Sequence, residues 1–213
     1  MSPAVDPILV LVLLTNFFVL GTSRLRAIIN GTAIQGVLLG TLTLLVHQEL
    51  SLRPVMVAIG ATLIKAVIIP WMLSRAMREA AIRHEVEPFI GYILSLVLGA
   101  IGTGLAMLFV GTLPLAPRHV GSLLIPTSLA TVITGFILLT TRRKAITQVA
   151  GYLVLENGIF IMGLTLIEAV PFFVEVGVLF DLLVAIFVMG IIILQISREF
   201  ASLDTTRLSS LKE

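Results

Sequence analysis

An unbroken apolar run of about 20 residues leaves a chain few choices, because as a helix it is long enough to cross the ~30 Å hydrocarbon core of a bilayer. This sequence has seven such runs, at 5–22, 27–46, 54–74, 89–113, 120–141, 146–167 and 173–196. They are continuous instead of alternating at a period of two, which argues against a transmembrane β-barrel. Hydrophobic residues make up 58% of the 213 and charged residues only 12%, against about 25% charged in an ordinary soluble domain. A soluble enzyme or DNA-binding domain of this size cannot bury that much apolar surface, and disorder needs low hydrophobicity and high charge. The expected fold class is all-α, a polytopic membrane helical bundle of about seven transmembrane helices.

The basic residues set the expected orientation. Arg24, Arg26, Arg75, Arg78, Arg83, Arg142, Arg143, Lys144, Arg198, Arg207 and Lys212 fall on one side of a seven-span layout, and only Arg53 and Arg118 on the other. The expectation is an N-terminus outside, a C-terminus in the cytoplasm, and a multi-pass protein of the cell inner (plasma) membrane. The formal charge of +2 follows from this sidedness and is not a nucleic-acid signal. No Lys or Arg precedes Arg24, so the charged start of a cleavable signal peptide is missing. Three regions are expected: a four-helix membrane region at 1–118, a three-helix membrane region at 119–197 and a polar cytoplasmic tail at 198–213. The polar segment Arg75–Glu87 reads as a helical extension or a surface helix, with Pro88 opening the next span.

Signals for self-contained chemistry are missing. There is no Cys, hence no disulfide, thiol chemistry or Cys-ligated cluster. The histidines, His47, His84 and His119, sit at span ends or in loops, where they do not ligate a membrane haem. No phosphate-binding loop, nucleophile triad or metal-ligand spacing occurs, so no catalytic residue, metal or cofactor is assigned. The Gly99–Gly104 run reads as a small-residue packing face, and Gly36 and Gly40 as a close-packing pair without functional weight.

Three ionisable residues lie deep in the spans: Lys65, Glu156 and Asp181. Counting the helical rise from the first residue of each span puts them at depths of ~16, ~15 and ~12 Å. A charge at the bilayer centre costs roughly 2.5–3.5 kcal/mol, so such residues persist when paired, neutralised or facing water. Desolvation pushes carboxylates up and lysines down in pKa, toward proton exchange near neutrality. The three are candidate proton-transfer stations. The plainer alternative is a static ion pair of Lys65 with Glu156 or Asp181 that holds helices in register. Glu175 and Glu168, near the outer ends of the last hairpin, are candidate linings of an outer mouth, with a plain interfacial place as the alternative. Pro70 removes a helical hydrogen bond to Ala66 beside Lys65, and Pro126 one to Ser122, so kinks are expected at both.

The run Gly151-Tyr152-Leu153-Val154-Leu155-Glu156-Asn157-Gly158-Ile159-Phe160, with Asp181-Leu182-Leu183-Val184-Ala185-Ile186-Phe187-Val188-Met189-Gly190, resembles hydrogenase-4 component E. That family belongs to the membrane arm of group 4 nickel–iron hydrogenase and formate hydrogenlyase complexes. Residues 120–197 are similar to the K subunit of respiratory complex I and the C subunit of multisubunit sodium/proton antiporters. The resemblance implies an acidic residue in the middle helix, matched by Glu156, and one in the last helix, matched by Asp181 in place of the usual Glu. K subunits tend to carry Asn one turn after the first acid. Here Phe160 holds that position, and Asn157 is adjacent to Glu156 instead.

The resemblance implies a non-catalytic membrane subunit of a complex I-related, hydrogenase-type ion pump without its own redox site. Its implied partners are antiporter-like membrane subunits, a membrane protein similar to the H subunit of complex I, a soluble redox arm reached through the complex, and membrane lipid, with no nucleic acid. Glu156 and Asp181 would carry protons or transmit charge, with Lys65 tuning them. The rivals are a structural scaffold with static buried pairs and a stand-alone proton-coupled transporter. The latter predicts an internal repeat, and none is evident.

Overall fold

A computed structural model of the chain describes residues 4–46, 52–79, 88–112 and 122–166, and among these the structure is helical with no strand. The helices are α1 (Val5–Gly21), α2 (Leu25–Val46), α3 (Leu52–Leu63), a π-helical segment (Ile64–Ile68), α4 (Ile69–Glu79), α5 (Tyr92–Val110), α6 (Leu124–Thr141) and α7 (Ala145–Leu166). By length and composition α2, α5, α6 and α7 are long and apolar enough to cross a membrane. The expected span at 173–196, and with it Asp181 and Glu175, lies outside the described residues, as does the tail at 198–213.

Glycines set the closest helix contact. A Cβ on Gly151 would stand 2.7 Å from the Leu139 backbone nitrogen, and one on Gly158 would stand 2.6 Å from that of Val132. Gly135 meets the Leu155 backbone in the same way. These positions let α6 and α7 approach backbone to backbone, and Glu156 lies on α7 between the second and third contacts. Helix α5 uses buried Ser95, Gly99, Gly102 and Ala106 to reach the bundle, with Gly99 against Leu20 of α1 and Gly102 against Ile133 of α6. Its opposite face is apolar and open: Ile93 is 79% exposed and Leu108 72%. An apolar outer face of this kind suits acyl chains as its solvent.

The two largest apolar cores lie toward opposite ends of the bundle. At one end Leu25, Ile28, Ile29, Leu73, Met77, Ile146 and Val149 join α2, α4 and α7. At the other, Val5, Leu9, Val12, Leu39, Leu42, Leu124 and Ile161 join α1, α2, α6 and α7. The first end also gathers the link from α1 to α2 and the α6–α7 link. There Phe89 N–H donates to the Thr141 carbonyl at 2.7 Å, and Pro88 bridges Arg142.

Two expectations about proline change. Pro88 does not open a helix: it is held extended beside Arg142, and α5 starts at Tyr92. Pro126 produces no mid-helix break, because α6 begins at Leu124. Pro126 then occupies the first turn, where a backbone N–H would have had no helical partner anyway. Ser122 accepts from the Leu124 N–H at 3.2 Å instead of continuing the helix.

Candidate functional site

Pro70 shapes the backbone that carries Lys65. In a regular α-helix its ring would strike the Ala66 carbonyl, and it has no N–H to offer that group. The chain answers with one widened turn: the Ile69 N–H bonds to the Ile64 carbonyl, five residues back. Such π-turns move one carbonyl aside and recur at functional sites. Lys65 lies in this turn and is 8% exposed. Gly36 of α2 presses on the same turn. A Cβ there would stand 3.0 Å from the Lys65 backbone carbon and 3.1 Å from the Ala66 nitrogen, and one on Gly40 would overlap the Thr62 hydroxyl. The Gly36/Gly40 pair is thus the seat of the lysine-bearing segment.

The Lys65 ammonium crosses to α7. Nζ lies 2.9 Å from Glu156 Oε1 and donates to Asn157 Oδ1 at 3.3 Å. It also stands 5.0 Å from the Phe160 ring centre, a cation–π distance. Glu156 is 7% exposed and Asn157 3%. Phe160 is therefore the aromatic wall of the ammonium site, and Asn157 supplies its amide oxygen. A small cleft lined by Gly36, Gly40, Thr43, Thr62 and Phe160 reaches Lys65 from the side of α2 and α3.

From Asn157 a line of hydrogen bonds crosses the bundle. Asn157 Nδ2 donates to Gln35 Oε1 of α2 at 3.2 Å. Gln35 Nε2 donates to Asn16 Oδ1 of α1 at 2.7 Å and lies 3.1 Å from the Thr15 hydroxyl, also as donor. Asn16 Nδ2 donates to the Thr131 hydroxyl of α6 at 2.9 Å, and Thr131 donates to the Thr127 carbonyl at 2.7 Å. Gln35 and Thr131 have no exposed surface and Asn16 has 2%. This polar layer lies between the two apolar cores. Gln35 is about 15 Å from either end of α2 by helical rise.

Of the residues singled out from sequence, the structure joins Lys65 to Glu156, while Asp181 and Glu175 fall outside the described residues. Asn16, Gln35, Asn157 and Thr131 are members of the site that charge counting passes over. Their signal is present in the sequence: neutral amides in the middle of apolar runs need partners as surely as charges do. Among the described residues no group of three or more His, Cys, Asp or Glu stands together to hold a metal.

Arg142 is not the ordinary loop charge that its place between two apolar runs suggests. It has no exposed surface, donates from Nη2 to the Leu20 carbonyl at 2.9 Å, and stacks 5.3 Å from the Tyr92 ring centre. That carbonyl belongs to the last turn of α1, where helical carbonyls lack partners and the helix dipole favours a cation. Burial pushes the guanidinium pKa below its ordinary value, with Tyr92 acting in the opposite direction.

No family model matches the chain, and no solved structure matches it. The chain is 32% identical over 205 residues to the Mycobacterium tuberculosis (strain ATCC 25618 / H37Rv) protein named Uncharacterized protein Rv0085, covering 94% of this chain and 92% of that protein. It is 25% identical over 208 residues to Hydrogenase-4 component E of Escherichia coli (strain K12), covering 95% and 94%, and equally to that of Shigella flexneri. The full-length match at this identity, together with helices suited to a membrane, establishes that the chain belongs to the family of the Mycobacterium tuberculosis Rv0085 protein, with hydrogenase-4 component E as a more distant relative.

Proposed function

We propose that this chain is a non-catalytic membrane subunit of a hydrogenase-type, complex I-related ion pump, and that Lys65 and Glu156 exchange or couple protons within it. The observation that carries the reading is the buried contact of 2.9 Å between Lys65 Nζ and Glu156 Oε1 in the middle of an apolar bundle. At that distance a proton passes from ammonium to carboxylate without movement of heavy atoms. The π-turn supplies the element whose geometry can change, because Pro70 has already removed the regular helical hydrogen bond to Ala66 beside the lysine. Motion there would draw the ammonium away from Glu156 and alter the charge that the carboxylate feels.

The distant relation to hydrogenase-4 component E supports placement in a multi-subunit membrane arm, with redox chemistry in other chains. In this reading Asp181 is a second carboxylate station and Glu175 lines an outer mouth. An antiporter-like protein and one similar to the H subunit of complex I flank the chain and connect it to a soluble redox arm. The N-terminus faces outward and the C-terminus the cytoplasm, across seven spans of the plasma membrane.

The test is Glu156→Gln in the intact complex. Redox-driven proton translocation into inverted vesicles should fall while the chain still co-purifies with its partners. Unchanged translocation would sink the reading in favour of a scaffold with a static pair.

A further inference from the structure

The line from Lys65 to Thr127 has a single sense. An ammonium only donates, so Asn157 must present Oδ1 to it and turn Nδ2 toward Gln35. Gln35 must then accept with Oε1 and donate with Nε2, and Asn16 must do the same. The Thr131 hydroxyl is left to donate to the Thr127 carbonyl. Each amide is oriented by the one before it, and the first is oriented by the charge on Lys65. The reversed sense satisfies the same amides: Gln35 donates to Asn157, Asn16 to Gln35 and Thr131 to Asn16, which frees the Thr127 carbonyl of the hydroxyl. Thr15, which now accepts from Gln35 and donates to the Val12 carbonyl, can follow the same switch.

We propose that Asn157, Gln35, Asn16 and Thr131 form a two-state hydrogen-bonded relay that reports whether Lys65 is an ammonium to the contact between α1 and α6. The relay rests on the reading of Lys65 and Glu156 as a proton-exchanging pair. When Lys65 passes a proton to Glu156 Oε1, one N–H bond breaks and one O–H bond forms. The pair changes from ammonium and carboxylate to amine and carboxylic acid, with no change in net charge. The amine then rotates about its Cε–Nζ bond, turns its one lone pair from the new O–H to Asn157 Nδ2, and the amides turn over in order. No atom travels along the relay; each side chain rotates in place. Among the described residues few other charges act on it. Tyr152 and Glu156 are the titratable groups of α7, α6 has none, and Asp6 of α1 and Arg26 of α2 lie ten and nine residues from Asn16 and Gln35.

The test reads the Asn16 side-chain amide by solid-state ¹⁵N NMR of the full chain in bilayers. With only 3 Asn and 4 Gln in the sequence, the side-chain region is sparse. The double variant Glu156→Gln/Asn157→Asp moves the carboxylate by one position. It keeps the charge balance with Lys65 and puts an acceptor-only group in front of Gln35. The Asn16 signal should shift, because Nδ2 exchanges the Thr131 hydroxyl for the Gln35 carbonyl. On a Gln35→Leu background the same two substitutions should leave Asn16 unmoved. Asn157→Leu, a second route that cuts the ammonium from the line, should shift or double the Asn16 signal. An Asn16 signal that ignores both changes at position 157, or that responds without Gln35, overturns the relay. Because translocation by Glu156→Gln is measured separately, a failed relay and a failed proton-exchange reading give different results.

Discussion

At the scale of single residues, the energetics of Lys65 and Glu156 depend on each other. An ion pair inside a low-dielectric bundle gains little over an apolar pair of the same shape, yet removing one member strands the other at a cost of about 3–5 kcal/mol. Lys65→Met alone should therefore lower stability by about that amount, and adding Glu156→Gln should restore most of it; unfolding of the purified chain in mixed micelles measures both. Losses that simply add would mean the two groups do not share the contact of 2.9 Å. Arg142 makes a different kind of contact, with a planar guanidinium that serves the Leu20 carbonyl and the Tyr92 face together. Arg142→Lys keeps the charge but loses the flat fork, and it should cost about 1.5–3 kcal/mol in the same assay. The charged pair was legible in the sequence because a charge in an apolar run demands an explanation. Arg142 was not, because its position between two spans reads as solvent until the Pro88–Phe89 strip is folded over it.

At the scale of helices, backbone proximity decides what a substitution does. Gly36 faces the backbone of the π-turn, which cannot step aside, whereas Gly40 faces the Thr62 side chain, which can rotate. Gly36→Ala should thus cost about 1–3 kcal/mol and separate Lys65 from Asn157, while Gly40→Ala should cost clearly less. Thermal unfolding and the Asn157 side-chain resonance report the two effects, and equal penalties would contradict this account. The apolar runs predicted the helices closely, since α2 and α7 begin or end within two residues of the runs at 27–46 and 146–167. Helix starts near proline were less legible: α5 begins at Tyr92 and α6 at Leu124, because local polar bonds capture the preceding residues before the helix does. Pro70 announced a disturbance beside Lys65, but a missing hydrogen bond alone does not say whether the chain kinks or inserts a wide turn. The pressure of α2 through Gly36 is information that only the assembled bundle holds.

At the scale of the whole molecule, the ends of the bundle differ in charge. Arg24, Arg142, Arg143 and Lys144 belong to the end where α1 finishes and α7 starts, and Arg75 and Arg78 lie on α4, whose core residues join that end. Helix α5 starts there, beside Thr141, and so finishes at the opposite end. The sequence has no Cys, which makes sidedness directly measurable. In the proposed orientation Arg143→Cys should react with a membrane-impermeant thiol reagent only in inverted vesicles, and Thr112→Cys only in right-side-out cells or spheroplasts. Labelling of both from one side would refute the topology. The charge asymmetry was readable from the sequence, whereas the lateral order of the helices was not, because apolar faces of Leu, Val and Ile are nearly interchangeable as partners. The amide line through Asn157, Gln35 and Asn16 has one further effect on the assembly. Greasy surfaces can slide along one another by a turn, about 5.4 Å, with small change in contact. A transverse bolt of directional bonds permits no such slippage, so α1, α2, α6 and α7 stay locked in axial alignment beside the π-turn.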